Sequence, residues 1–272
     1  MTLVISGTGK TGRRVVERLR DRQMPFRAAS RSAQPAFDWE DHQTWAPVLG
    51  GVTQAYVAYQ PDLCVPGALE TVRSFFAQAV DAGVRKLVLL SGRGETGAEQ
   101  AEDALKACGA DWTILRCSFF CQNFSESFFL EPILAGEVTL PLGAVAEPFI
   151  DAEDIADVAA AALTDQRHVG QLYELTGPRA LTFACAIGEI AQATGRDIRY
   201  LTISPEQYRA ELAEAQVPEQ VIDLVLYLFG TVLDGRNTPV GDGVERALGR
   251  QPRDFSEYVR RATVSGVWEV PR

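Results

Sequence analysis

Residues 5–12 read ISGTGKTG and carry two phosphate-binding signatures at once. Gly9, Lys10 and Thr11 form the GK[ST] end of a nucleotide-triphosphate loop, while Gly7, Gly9 and Gly12 form the G-x-G-x-x-G of a dinucleotide fingerprint. The triphosphate loop requires a glycine five positions before Gly9, where this chain has Val4. It would also leave only Met1 to Leu3 for the strand that must feed it, and no later apolar run ends in an aspartate to hold magnesium. The dinucleotide reading puts Leu3 to Ser6 in a strand, Gly7 at the tight turn, Gly9 where backbone meets pyrophosphate, and Gly12 in close helix–strand packing. A following helix then turns its N-terminal amides and positive dipole end toward the anion. Every position suits its task, and the loop reads as a dinucleotide site.

Outward from this loop, apolar strand-like runs alternate with amphipathic helical ones, the pattern of a parallel sheet flanked by helices. Six strands are expected: TLVIS (2–6), FRAAS (26–30), AFDW (36–39), TQAYVAY (53–59), RKLVLLSG (85–92) and DWTILRC (111–117). Helices are expected through RRVVERLRDR (13–22), from Gly67 to Ala82, and through GAEQAEDALKACG (97–109). After Cys117 the rhythm changes. SFFCQNFSESFF (118–129) holds five phenylalanines, and FIDAEDIADVAAAALTD (149–165) reads as a strand end followed by a helix capped by Asp151 or Asp154. From QLYELTG (171–177) on, a helix over Thr182 to Gly195, DIRYLTIS and a helix-rich tail make a smaller portion. The expected fold is α/β: a doubly wound parallel Rossmann sheet with a smaller C-terminal α/β substrate lobe. Residues 1–117 form the Rossmann domain, completed by about 146–165, and residues 118–145 and 166–272 form the substrate-binding lobe.

The composition suits such a protein. A chain of 272 residues, 46% hydrophobic, has room for a large buried core. A formal net charge of -10 argues against nucleic-acid binding, which needs clustered Lys and Arg. Five cysteines, at 64, 108, 117, 121 and 185, show no C-x-x-C spacing, so neither a disulfide framework nor a zinc site is expected. His42 and His168 have no partner motif, and no metal is expected. Met1 leads directly into TLVIS with no signal-like segment, and no apolar run reaches the length of a membrane span. A soluble protein of the reducing cytoplasm is expected.

The end of the second strand selects the cofactor. NAD sites place Asp or Glu there for the ribose hydroxyls, whereas an arginine accommodates the 2'-phosphate of NADP. This chain has Ser30, Arg31 and Ser32, with no acidic residue before Asp38. Arg31 can pair with a phosphate dianion and Ser32 can donate to it, so NADP(H) is expected. The Tyr-x-x-x-Lys pair that serves many short-chain dehydrogenases is missing, since none of the seven tyrosines has Lys four residues later. Hydride transfer to an acceptor that is already electrophilic, such as a quinone or an iminium ion, needs positioning more than a dedicated acid.

GTGKTGRRVVERL, ASRS, FDWEDHQTW, DWTILRCSFFCQNF and PFIDAEDIADVAAAAL together resemble the NmrA-like group of atypical short-chain dehydrogenases, near its ergot-alkaloid-type reductases. The resemblance covers nearly the whole chain, including a C-terminal lobe in DGVERALGRQPRDFSEYVRR. It implies NADP(H) on a Rossmann domain, with Gly7, Thr8, Gly9, Lys10, Thr11 and Gly12 around the pyrophosphate and Arg31 and Ser32 at the 2'-phosphate. It also implies Tyr59, Gln60, Ser91 and Gly92 along the nicotinamide ribose, and Phe119, Phe120 and Asn123 facing nicotinamide and substrate. The group often has Pro and Met where this chain has Cys117 and Cys121, which changes backbone stiffness and pocket shape there.

The group contains reductases of quinones, triphenylmethane dyes and iminium ions, together with regulators that sense NADP(H) without turnover. The expected function is an NADP(H)-dependent oxidoreductase passing hydride to a small conjugated, quinonoid or iminium-type acceptor. The alternative is a catalytically silent NADP(H) sensor. Ser91 is the one candidate catalytic residue, as a group that orients a substrate carbonyl. The expected partner is a small apolar or aromatic substrate, since Phe119 and Phe120 offer stacking surface.

Overall fold

The structure, a computed structural model, describes residues 1–270; residues 271 and 272 of the expected lobe lie outside the described residues. The chain forms two compact units. The first comprises Met1–Cys117, Ala152–Leu175 and Asp242–Gln251, and the second comprises Ser118–Asp151, Thr176–Gly241 and the chain from Pro252 on.

In chain order, the first unit opens with β1 (Thr2–Ile5), α1 (Lys10–Asp21), β2 (Phe26–Ala29), α2 (Trp45–Leu49), β3 (Gln54–Val57), α3 (Ala68–Asp81), β4 (Lys86–Gly92), α4 (Thr96–Lys106) and β5 (Asp111–Cys117). The second unit begins with α5 (Leu130–Ala135), β6 (Glu137–Leu140) and β7 (Ala146–Glu147). The chain then returns to the first unit for α6 (Ala152–Thr164) and β8 (Gln171–Leu175). It gives the second unit β9 (Leu181–Thr182), α7 (Phe183–Thr194), β10 (Arg199–Thr202), α8 (Pro205–Glu214) and α9 (Glu219–Tyr227). It ends with α10 (Gly243–Leu248) in the first unit and α11 (Phe255–Val264) in the second.

The first unit is built on a six-stranded parallel sheet in the order β2-β1-β3-β4-β5-β8. Helices cover it, so the fold is the α/β Rossmann type that the sequence predicts. The strand order reverses between β1 and β3, which leaves a crevice at their carboxyl ends. On one side of the sheet, Ile5, Val57 and Leu89 share a core with Val72, Phe76 and Leu105 from α3 and α4. On the other, α6 packs against α1 and strands β3 to β5. Its sequence AEDIADVAAAALT explains the fit, since alanine side chains let a helix lie close to strands and to a second helix, and most of α6 is buried.

Two strand expectations change. AFDW is not a strand, because the Ser30 carbonyl accepts hydrogen bonds from both Ala33 and Phe37 amides and folds the segment into turns. Its aromatic content serves ring packing instead: Phe37 and Trp39 lie edge-on at 4.9 Å, and both pack against Phe75. The sixth strand is QLYEL, which pairs with β5 from Thr113↔Gln171 to Cys117↔Leu175. Residues 166–175 and 242–251 therefore cluster with the sheet, although the sequence assigns them to the lobe. Gly243 makes the second attachment possible, since a Cβ there would lie 2.3 Å from the Glu174 carbonyl oxygen.

The second unit has its own core of interlocked rings. Phe124 lies 5.3 Å from Phe149, and Phe149 lies 5.1 Å from Phe183, both edge-to-face. Parallel β6 and β10 and antiparallel β7 and β9 form two small ribbons beside it. Tyr258 donates to Ser125 Oγ at 2.7 Å and Trp268 Nε1 donates to the Phe124 carbonyl at 2.9 Å, which ties α11 and the chain after it to this core. Among the described residues, no helix is long and apolar enough to cross a membrane.

Candidate functional site

The turn after β1 is built by its own backbone. Ser6 adopts φ 55°, the left-handed region that a non-glycine residue rarely occupies. Its carbonyl accepts the Gly9 amide at 2.8 Å, and its hydroxyl donates to the Ala58 carbonyl at 3.1 Å, joining the ends of β1 and β3. The Gly7 amide donates to Ala29 at the end of β2. A Cβ on Gly7 would lie 2.8 Å from Ala28 Cβ, and one on Gly12 would lie 2.0 Å from the Ser6 carbonyl oxygen. Both glycines are fixed by space. Gly9 differs, since a Cβ there would meet Ser6 O at 3.2 Å and Gln60 Nε2 at 3.5 Å, a tight fit without an outright clash.

Gly9 is also the N-cap of α1, with no side-chain cap and no acidic residue in the first turn. The Gly7 amide is used by Ala29 of β2 and the Gly9 amide by Ser6 within the turn, whereas those of Thr11 and Gly12 have no acceptor inside the helix. An anion at this end is met by those amides and by the helix dipole. Thr8 is exposed, and Lys10 is half-buried on the first turn. Arg31 and Ser32 are exposed beyond β2, with the Ser30 and Ser32 hydroxyls 3.3 Å apart. Among the described residues, Arg31 pairs with no carboxylate.

Tyr59 and Gln60 follow β3. Tyr59 is half-buried with its ring 4.9 Å from Trp39, and burial raises its pKa. Ser91 and Gly92 end β4 beside the same edge, but Ser91 is only 4% exposed and donates its hydroxyl proton to Glu102 Oε1 at 2.6 Å. Arg116 donates to the same carboxylate through Nε at 2.9 Å, and this hydrogen bond to Glu102 raises the Arg116 pKa against the opposing effect of burial. The serine expected to orient a substrate is thus held in a buried Ser-Glu-Arg network.

In the second unit, Phe119 and Phe120 are half-buried and Asn123 is buried within the turn Cys121–Phe124. Phe119 is held by Glu147, whose Oε1 accepts its amide at 3.2 Å, and by Ile150, whose amide donates to its carbonyl at 3.0 Å. Phe124 and Phe129 belong to the core, and Phe128 is 44% exposed. One grouping has no trace in sequence spacing: Asp62, Cys64 and Glu95, brought together by the loops after β3 and β4. The available signal was Gly97, where a Cβ would meet the Leu63 carbonyl at 2.8 Å and Cys64 Cα at 2.9 Å, beside Gly92, where it would meet the Glu95 carboxyl.

No family model matches the sequence. A curated relative does: the NAD(P)H azoreductase of Xenophilus azovorans is 30% identical over 282 residues, covering 96% of this chain and 97% of that protein. The chain belongs to the NmrA-like group of atypical short-chain dehydrogenases. A second relative, the prestalk A differentiation protein A of Dictyostelium discoideum, is 27% identical over 278 residues, covering 95% of this chain and 91% of its own. Among solved structures, the NADPH-dependent quinone oxidoreductase of Escherichia coli complexed with NADPH superposes with a TM-score of 0.82 at 20% identity, covering 97% of this chain and all of that one. That likeness supports the α/β Rossmann-type fold of the present chain.

Proposed function

We propose that the protein is an NADPH-dependent reductase that passes hydride to a small conjugated, quinonoid or iminium-type acceptor without a Tyr-x-x-x-Lys pair. The observation that carries this reading is the glycine turn at the strand-order reversal, with an exposed Arg31 one strand away. The residues fit the cofactor. Gly7, Thr8, Gly9, Lys10, Thr11 and Gly12 hold the pyrophosphate against the start of α1, where Gly9 is the N-cap and the first turn carries no acidic side chain. Arg31 and Ser32 take the 2'-phosphate, and Tyr59, Gln60 and Gly92 border the other half of the dinucleotide.

When bound, NADPH supplies a hydride. The chain's own part is to orient: the α1 terminus fixes the pyrophosphate and Arg31 the 2'-phosphate, and positioning of this kind contributes much of the rate for an acceptor that is already electrophilic. Phe119 and Phe120 supply aromatic surface for a flat acceptor. Ser91 remains with Glu102 and supports the edge of β4. The azoreductase relative favours conjugated N=N acceptors as the first class to try.

One observation favours a second reading, a silent NADP(H) sensor: the Dictyostelium relative is named for differentiation and not for a reaction. The test follows the near-ultraviolet absorbance of NADPH with purified protein and azo dyes, quinones, enones and iminium ions. Consumption with one class is expected. Tight NADPH binding with no consumption across all four favours the sensor.

A further inference from the structure

The loops after β3 and β4 meet at the carboxyl edge of the sheet. Asp62, Cys64 and Glu95 converge there, with one polar atom of each within 4.8 Å of the others. The Cys64 amide donates to Asp62 Oδ1 at 2.8 Å, and its thiol donates to Glu95 Oε2 at 3.2 Å. A Cβ on Gly92 would lie 2.1 Å from Glu95 Oε1, and one on Gly97 would lie 2.9 Å from Cys64 Cα. Gly92 thus clears the space that the Glu95 carboxyl occupies, and Gly97 lets the start of α4 close on the Cys64 loop.

Asp62 and Cys64 face Glu95 from the loop after β3, and Cys117 feels its charge from the end of β5. Burial and the adjacent Asp62 push the Glu95 pKa up to about 8, against the pull of the Cys64 hydrogen bond. A carboxyl held this far above its ordinary range is suited to carry a proton at neutral pH. Its place is as telling. Arg31 follows β2 and Gly9 follows β1, while Gln60, after β3, lies against Gly9. A dinucleotide with its 2'-phosphate at Arg31 and its pyrophosphate at α1 runs its other half past β3 toward β4, where Gly92 and Glu95 stand.

We propose that Glu95 is the proton donor of this site, an inference that rests on the reductase reading above. Two-electron reduction of an azo, quinone or enone acceptor takes one hydride and one proton. The hydride is what NADPH supplies. The proton leaves Glu95 as its O–H bond breaks and goes to the acceptor heteroatom on which negative charge develops. Glu95 is left as a carboxylate that accepts the Cys64 hydrogen bond, and the neighbouring Asp62 drives it to take a fresh proton from water. An iminium ion, already positive, needs the hydride alone.

Glu95→Gln keeps the shape and removes the acid. The expected result is a loss of roughly 10²- to 10⁴-fold in rate, confined to acceptors that need a proton, with NADPH affinity retained. The wild-type rate should fall as pH rises through about 8, Asp62→Asn should move that limb to lower pH, and Cys64→Ala should move it higher. Independently of turnover, the infrared carbonyl band of a carboxylic acid should be present at neutral pH, titrate away on the same limb, and be missing in Glu95→Gln. Equal azo or quinone rates for wild type and Glu95→Gln, or no such band, overturn the proposal. A titrating band in a wild type that reduces no acceptor instead overturns the reductase reading, and proton delivery with it.

Discussion

A Cβ placed on Gly12 lies 2.0 Å from the carbonyl oxygen of Ser6, so the first turn of α1 rests directly on the backbone of the turn that feeds it. The obstacle is main chain and cannot rotate away. Gly12→Ala is expected to cost about 1–3 kcal/mol, the usual range for forced overpacking, and to reduce NADPH affinity because the helix terminus moves off the pyrophosphate. Gly188 is the contrasting case: it is exposed within α7 with nothing within 4 Å of its Cβ position. Gly188→Ala should stabilise by about 0.5–1 kcal/mol. Denaturant unfolding of both variants, with an NADPH titration of the first, checks the pair.

Arg31 should decide between the two nicotinamide cofactors. Arg31 is exposed, and among the described residues it makes no ion pair that would be lost. Arg31→Ala is expected to weaken NADPH binding by about 1.5–3 kcal/mol, the range for a hydrogen bond to a charged group, and to leave NADH binding unchanged. Calorimetric titration with both cofactors measures this. Equal losses would mean that the 2'-phosphate sits elsewhere.

Glu102 is fully buried, and Arg116 supplies its charge partner at the end of β5. Arg116→Met should leave that carboxylate uncompensated and cost about 3–5 kcal/mol. Denaturant unfolding of wild type and variant at neutral pH tests it, and an unchanged midpoint would mean that the buried carboxylate is compensated elsewhere.

The glycine turn was legible because its spacing is local and each glycine answers one steric demand. The parallel sheet was legible because apolar runs alternate with helical ones, but AFDW and QLYEL show the limit. Both are short and apolar, and what separates them is a remote partner: QLYEL finds the free edge of β5, whereas Phe37 and Trp39 find Trp45 and Phe75. Ser91 sits at the strand end that the sequence indicates, yet its proton goes to Glu102 on α4, a contact that no spacing rule encodes. Cys64 and Glu95 are 31 residues apart and meet only because two loops close at one sheet edge.

Two carboxyls should shape the pH dependence of stability in opposite senses. Burial tends to raise the pKa of Glu153, but hydrogen bonds and charge from Arg14 and Arg18 outweigh it and hold the pKa below its ordinary 4.5. The folded chain then binds fewer protons than the unfolded one below that value, so this contribution is present above pH 4.5 and lost as pH falls. Glu95 is the reverse. Its pKa is raised from 4.5 to about 8, so the folded chain binds more protons across that interval, and its contribution is full below 4.5 and lost as pH rises toward 8. Glu153→Gln should flatten the acid limb and cost about 1.5–3 kcal/mol at neutral pH, the range for charged hydrogen bonds. Glu95→Gln should flatten the basic limb and raise the melting temperature relative to wild type most near pH 8. Melting curves from acid to mildly basic pH separate the two effects, and a basic limb that survives Glu95→Gln would place the raised carboxyl elsewhere.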